Sequence, residues 1–194
     1  MPSRRTILAA SAILVAVVVA VVYYQQLHRM ETSVPLEEEE GVVLPITSTA
    51  FKDGERIPSK YTRDDEDLSP PLSWSGAPQG TKSYALIMDD PDAPLQIFTH
   101  WILFNLSARV ESLPEGVPKR EKLENGGLQG KNDFGEMGYG GPAPPPGKVH
   151  RYRFHLYALD TELELESGAS KQDVLKAMEG HVLAEGEITG TYSR

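Results

Sequence analysis

The sequence predicts a mainly β domain arranged as a sandwich, preceded by one N-terminal transmembrane helix. Apolar runs of five to eight residues alternate with turns rich in glycine and proline, of which the chain has 17 and 15. Short strands punctuated in this way favour a sandwich over alternating strands and helices. Near the N-terminus, residues 7–24 form a run that is apolar except for Ser11. The remainder, about 150 residues, is enough for one domain with its own core.

Four segments have the composition of β-strands, with apolar, β-branched and aromatic residues bounded by turn residues. The third of them, His150 to Leu159, is the clearest, because its even-numbered positions form one mainly apolar face. The predicted strands are 83–89, 100–106, 150–159 and 183–192.

One helix is predicted between Ser170 and Gly180. Ser170 is a favoured N-cap, and Asp173 three residues later completes a variant of the capping box. Gly180 is a typical C-terminal stop. The face predicted to be buried consists of Val174, Leu175 and Met178.

Residues 1–24 are predicted to be a signal anchor, with a transmembrane helix over 7–24. A helix of 18 residues is about 27 Å long, close to the thickness of the bilayer core. Arg4 and Arg5 precede the run and acidic residues follow it, so the positive-inside rule places the N-terminus in the cytoplasm and the domain outside. A cleaved signal peptide is the alternative, although no small-x-small cleavage site follows the run. Residues 25–41 are predicted to be an acidic flexible linker, and residues 42–194 the folded domain.

Composition excludes several function classes. The chain has no cysteine, which excludes disulfides, thiolate metal sites and a cysteine nucleophile. Its net charge of −9 argues against a nucleic-acid partner, because an acidic surface repels phosphate backbones. A small anion would have to be held by local donors against this overall charge.

Two histidines, each at the start of a predicted strand, are the best candidates for a binding site. His150 and Tyr152 share one face of their strand because side chains alternate. Their position at its start predicts that both line the mouth of a pocket at the end of the sandwich, and His100 opens another strand. If these strand starts adjoin, two imidazoles and a phenol converge as hydrogen-bond donors suited to a phosphate-type anion. Asp90 and Asp92, in the acidic turn after the first strand, would orient a histidine, bind an ammonium group or carry a proton.

A glycine- and proline-rich loop precedes the third strand and completes this constellation. Gly140 and Gly141 are followed by Pro142, and successive glycines can aim backbone N–H groups at an oxyanion. Each signal is weak alone, since an isolated histidine or an Asp-Pro turn is more often structural than functional.

The order of these motifs resembles that of phosphatidylethanolamine-binding proteins. The motifs are Asp90-Pro-Asp-Ala-Pro94, His100-Trp101, Gly140-Gly-Pro142 and His150-Arg-Tyr152. The chain is most similar to the bacterial and archaeal Raf-kinase-inhibitor-like branch, over residues 42–194.

The resemblance implies a sandwich of a large and a small sheet with a few short helices and an anion pocket at one end. The family's pocket positions match Asp90, Asp92, His100, Gly140, Gly141, Pro142, His150 and Tyr152. It also implies a cis peptide bond near the Asp-Pro turn. Arg63 and Ala143 stand where relatives often have cysteine. The chain ends soon after its last strand, where eukaryotic relatives add a helix, which leaves the pocket either open or covered by a second copy in a homodimer.

Three functions remain open from the sequence. The first is a non-catalytic binding protein, tethered to the membrane, that captures a phosphate-type anion or phosphorylated head group. The second is a regulator of a protein partner, such as an extracellular protease or a kinase. The third is a hydrolase that uses a metal or the histidines, although no known catalytic motif supports it. No cofactor and no metal are predicted.

Overall fold

The computed structural model describes Val21, residues 23–26 and residues 42–194. Val21 and residues 23–26 are helical. The rest of the predicted span 7–24 and residues 27–41 of the predicted linker 25–41 lie outside the described residues. Within the described ranges, no helix is both long enough and apolar enough to cross a bilayer.

Two sheets form the domain, as the family resemblance implied. The large sheet has six strands in the order β1-β9-β8-β4-β5-β7, antiparallel except for β1 beside β9. Its strands are β1 (Val42–Val43), β4 (Ser83–Asp90), β5 (Phe98–Ser107), β7 (Leu128–Gln129), β8 (His150–Leu159) and β9 (Val182–Tyr192). The four predicted strands are thereby confirmed as β4, β5, β8 and β9, with shifts of up to two residues at their ends.

The small sheet has three short antiparallel strands in the order β2-β3-β6. They are β2 (Ile46–Thr47), β3 (Leu72–Trp74) and β6 (Ser112–Leu113). A 3₁₀ helix, Ser59–Tyr61, lies in the connection between β2 and β3. All peptide bonds of the described residues are trans, so the cis bond implied by the resemblance is not present.

The main core lies between the two sheets and follows from strand alternation. Along β4, Tyr84, Leu86 and Met88 point into it, together with Phe154 and Leu156 of β8. Every residue of β4 is buried, because the opposite face of this strand is also covered. A central strand buried on both faces fixes the register of its neighbours.

A second apolar cluster covers the other face of the large sheet beneath α1 (Lys171–Met178). The predicted capping box is confirmed: Ser170 Oγ accepts from the Asp173 N–H, and Asp173 in turn accepts from the Ser170 N–H. Val174 and Met178 are buried as predicted, whereas Leu175 is 37% exposed. The Leu175 prediction was wrong because one residue along a helix is a rotation of about 100°.

Strand direction brings three chain segments to one end of the large sheet. β4 runs antiparallel to both β5 and β8, so its last residue, Asp90, pairs with Phe98 at the start of β5. On the other side, Asp89 pairs with Arg153 near the start of β8. Both predicted histidines therefore belong to the same end of the sandwich.

Candidate functional site

A hollow of about 210 Å³ opens at this end of the sandwich. Both predicted histidines line it, together with one carboxylate, two aromatic rings and several small apolar residues. The lining residues are Asp90, Ala93, Pro94, Phe98, His100, Phe134, Ala143, Pro144, Pro145 and His150. Its size suits a small ligand or the head of a larger one.

His150 is held by the carboxylate of Asp90. The His150 Nδ1–H donates to Asp90 Oδ2 at 2.7 Å, and both residues are almost completely buried. The other oxygen, Asp90 Oδ1, accepts from the backbone N–H of Asp92 at 2.8 Å. Both oxygens of Asp90 are thus occupied, which fixes the imidazole and directs its Nε2 away from the carboxylate.

His100 is held by a neutral partner instead. Its Nδ1 lies 2.6 Å from the carbonyl oxygen of Gly140, and because a carbonyl only accepts, Nδ1 carries the proton. Only 3% of His100 is exposed. Burial lowers the pKa of His100 below its ordinary value, and the carbonyl of Gly140 and the charge of Asp90 oppose this effect. His100 is therefore neutral near pH 7.

An aromatic wall stands beside His100. The rings of Phe98 and Phe134 pack edge to face with centroids 4.7 Å apart, and both lie within 5.4 Å of the imidazole. The guanidinium of Arg63 stacks on Phe134 at 4.1 Å and makes a bidentate pair with Glu136. Arg63, which departs from the family pattern, thus braces the wall from behind, with its charge neutralised by Glu136.

Tyr152 lies behind His100 rather than at the mouth of the hollow, where the sequence placed it. Its ring meets the imidazole edge to face at 5.1 Å, and the residue is fully buried. Burial raises the pKa of Tyr152 well above its ordinary value. Its hydroxyl has no hydrogen-bond partner among the described residues, although the backbone of Ala143 is close enough to influence its pKa.

The two glycines have a different role from the one predicted. The Gly140 N–H donates to the His100 carbonyl at 2.9 Å, and the Gly141 N–H donates to Asp67 Oδ1 at 2.7 Å. Both donors are therefore occupied and form no open nest. Glycine is required for close approach: a Cβ on Gly140 would lie 2.7 Å from the Phe134 ring, and one on Gly141 would lie 2.5 Å from the Tyr61 carbonyl.

Asp92 and Pro142 also lie outside the hollow. Asp92 forms a bidentate pair with Arg151 and accepts its backbone N–H. The hydrogen bonds from the Arg151 side chain lower the pKa of Asp92 to about 2, so this residue carries no proton at neutral pH. The Pro142 carbonyl accepts from the Arg63 N–H at 3.1 Å. Both residues fix the loops around the hollow.

Sequence reasoning missed the aromatic and proline lining. Phe98 lies two residues before His100 and shares its face of β5, so strand alternation could have identified it. Pro144 and Pro145 lie in the loop already singled out. Nothing in the local sequence of Phe134 indicated that it packs on His100, because the two residues are 34 positions apart and meet only in the fold.

Two other hollows lack such a constellation. One, of about 230 Å³, is lined by Leu113, Val117 and Leu123 with exposed charges at its edge. The other, of about 540 Å³, lies on the outer face of β8 and β9 beside His155 and Glu187. In the part of the chain that the structure describes, no three histidine or acidic side chains are arranged to hold a metal ion.

Residues 47–193 match the family model described as phosphatidylethanolamine-binding protein. A UPF0098 protein of Methanothermobacter thermautotrophicus is 59% identical over 145 residues, covering 75% of this chain and 95% of the relative. A UPF0098 protein of Aquifex aeolicus is 47% identical over 156 residues, covering 79% and 91%.

Two solved structures share the fold. One is CT736 of Chlamydia trachomatis, described as a putative phosphatidylethanolamine-binding protein homolog, with a TM-score of 0.72 and 42% identity. The other is E. coli YbcL, described as a new member of the mammalian PEBP family, with a TM-score of 0.73 and 37% identity. Each match covers 78% of this chain and 98% of the other. The chains in these two structures consist almost entirely of the matched domain, which is folded in them without a preceding segment.

Proposed function

This chain belongs to the phosphatidylethanolamine-binding protein family, and from that premise we propose that it is a non-catalytic binding protein whose hollow captures a phosphate-type anion. The anion is either free or the head group of a phospholipid. We further propose that residues 7–24 anchor the chain in a membrane and that the domain lies outside the cytoplasm.

The arrangement of the two histidines carries this proposal. Each imidazole uses Nδ1 for a fixed partner, Gly140 for His100 and Asp90 for His150. Both rings line the same hollow, and in each the fixed partner is bound at Nδ1 rather than Nε2. Two imidazoles held in this way are suited to bind one small group from two sides.

The protonation states available to the two imidazoles indicate which type of ligand fits the hollow. With Nδ1 protonated, a neutral imidazole offers a lone pair at Nε2, whereas an imidazolium offers a second N–H. A hydrogen phosphate can donate its own O–H to a neutral ring, and its charge favours protonation of the rings. An anion with both acceptor oxygens and an O–H therefore suits this pair in either protonation state, at a site where the overall charge of −9 opposes binding.

Calorimetric titration of residues 42–194 with inorganic phosphate tests the pocket. We expect His100→Gln and His150→Gln each to weaken binding by about 1–3 kcal/mol, the cost of a lost charge-assisted hydrogen bond. His181→Gln is the matched control, because His181 is paired with Asp160 on the exposed surface. Equal affinity for the wild type and both pocket variants would contradict the proposal.

The membrane topology is tested with the full chain. Since the chain has no cysteine, Lys52→Cys provides a single labelling site on an exposed residue of the domain. We expect a membrane-impermeant maleimide to label it in intact cells. Labelling that requires lysis would place the domain inside the cytoplasm.

A further inference from the structure

Two loops that flank the hollow expose large apolar side chains. We call them the rim loops: residues 93–97 lead into β5, and residues 143–149 lead into β8. Leu95 is 98% exposed, Ile97 54% and Val149 67%. These are among the largest exposed fractions of any described apolar residue, and they occur together at one end of the sheet.

The rim loops are also almost free of charge. Among their 12 residues only Gln96 and Lys148 are polar, and none is acidic, although the chain has 28 acidic residues. The two carboxylates just before the first loop are already paired, Asp90 with His150 and Asp92 with Arg151. An apolar rim without acidic side chains on an acidic protein marks an interaction surface.

The loops are held in place rather than free. The Asp92 carboxylate ties the first loop to the start of β8. In the second loop, the Gly147 N–H donates to a backbone oxygen of Arg194 and the Lys148 N–H to the Pro145 carbonyl. Proline further restricts both loops. The apolar side chains are therefore presented on a fixed scaffold, which lowers the entropy cost of contact.

We propose that the rim loops are a docking surface for a lipid bilayer, into which Leu95, Ile97 and Val149 insert. This inference goes beyond the proposed function, because such contact does not require an anion in the hollow. An occupant with neutral, apolar character fits loops without acidic side chains, and the apolar run 7–24 lies in the same chain. The hollow would then open toward the head groups.

Site-specific fluorescence tests the insertion in the domain 42–194, which folds alone in its relatives. Leu95→Cys and Val149→Cys are each labelled with an environment-sensitive fluorophore and mixed with millimolar phosphatidylcholine vesicles. Lys82→Cys is the control, because it is exposed at the opposite end of β4. We expect a blue shift and at least a twofold intensity gain at 95 and 149 only. No change at the rim positions, or an equal change at 82, would overturn the proposal.

A second variant separates docking from anion binding. Leu95→Gln combined with Ile97→Gln should reduce cosedimentation with the vesicles at least about tenfold and leave phosphate affinity unchanged, because neither side chain lines the hollow and neither change adds charge. His150→Gln should do the reverse. Because the rim carries one lysine, cosedimentation should hardly change between about 0.05 and 0.5 M salt. A fluorescence change without vesicles that grows with protein concentration would assign the rim to a second copy of this chain and overturn lipid docking.

Discussion

The two walls of the hollow hold the same residue type in opposite ways. On the β8 side, His150 donates to the carboxylate of Asp90, and the next pair, Arg151 with Asp92, is also ionic. On the β5 side, His100 donates to a backbone carbonyl and is packed among Phe98, Phe134 and Tyr152. One imidazole therefore has a compensating charge and the other has none.

This difference assigns the histidines separate tasks. The His150 imidazole is held by the carboxylate of Asp90 before any ligand arrives. A charge on His100 has only dipoles and the more distant Asp90 to stabilise it, so its appearance depends on an anion in the hollow. We infer that His150 is a preformed contact for the ligand, whereas His100 takes up a proton when the ligand binds.

The largest effect should come from removing each histidine's bond to its partner. His150→Leu leaves the buried Asp90 carboxylate without its imidazole partner, which should reduce the free energy of unfolding by about 3–5 kcal/mol. His100→Leu leaves only the Gly140 carbonyl unpaired, which should reduce it by about 1–3 kcal/mol. Urea unfolding of residues 42–194 measures both.

Adding Asp90→Asn to His150→Leu sharpens this comparison. Asparagine removes the stranded charge, so the double variant should be more stable than His150→Leu alone. Equal losses for the two histidine variants, with no recovery in the double variant, would show that the carboxylate does not distinguish the walls.

The next effect concerns the pH dependence of anion binding. Sulfate keeps its charge near neutral pH and has no proton to donate, so it requires protonated imidazoles. Because burial lowers the pKa of His100 in the free protein and a bound anion raises it, sulfate affinity should increase as the pH falls. The expected slope is up to about 1.4 kcal/mol per pH unit.

Calorimetry between pH 8 and 5 measures this slope for sulfate and phosphate. Phosphate should retain more affinity at the alkaline end, because it can donate its own O–H to a neutral ring. His100→Gln should flatten the sulfate curve. A wild-type curve that is already flat would mean that neutral donors bind the anion.

Stability without ligand should show a smaller dependence on the same group. The folded state disfavours the charged form of His100, so the unfolded chain binds a proton that the folded chain does not. The contribution of neutral His100 to stability is therefore complete above about pH 6.5, its pKa in the unfolded chain. It is lost as the pH falls toward the lower pKa of His100 in the folded protein. Between pH 7 and 5, we expect the free energy of unfolding of His100→Gln to fall by about 1 kcal/mol less than that of the wild type. If the stabilities of the wild type and His100→Gln change in parallel with pH, the lowered pKa of His100 is contradicted.

Local patterns in the sequence were sufficient for the strands and for the end of the sandwich at which the histidines lie. Alternation along β8 placed His150 and Tyr152 on the same inward face, and the Ser170 capping box fixed the start of α1. Such features depend on neighbours a few residues apart. The membrane anchor lies almost wholly outside the described residues and stays a prediction.

The bonding of the glycine loop could not be predicted, because its partners are distant in the chain. Asp67, which occupies the Gly141 N–H, is 74 residues away and adopts a positive φ of 57°. Likewise, Tyr152 was placed at the mouth because strand position gives the face of a side chain and not its depth. In the folded domain the residue is fully buried against the His100 ring.

The smallest effect should be that of Asp92, although the sequence placed it in the pocket beside Asp90. Its carboxylate is bound to Arg151, on the exposed side of the strand start. Asp92→Asn keeps an oxygen for the Arg151 N–H and should change phosphate affinity by less than about twofold, as for an ordinary surface substitution. Asp90→Asn is the matched change, and it should weaken phosphate binding more, because the Asp90 carboxylate accepts from Nδ1 and fixes the His150 imidazole. If calorimetry shows that Asp92→Asn costs as much as Asp90→Asn, the ionic pair with Arg151 belongs to the binding site and the boundary between the two walls is drawn in the wrong place.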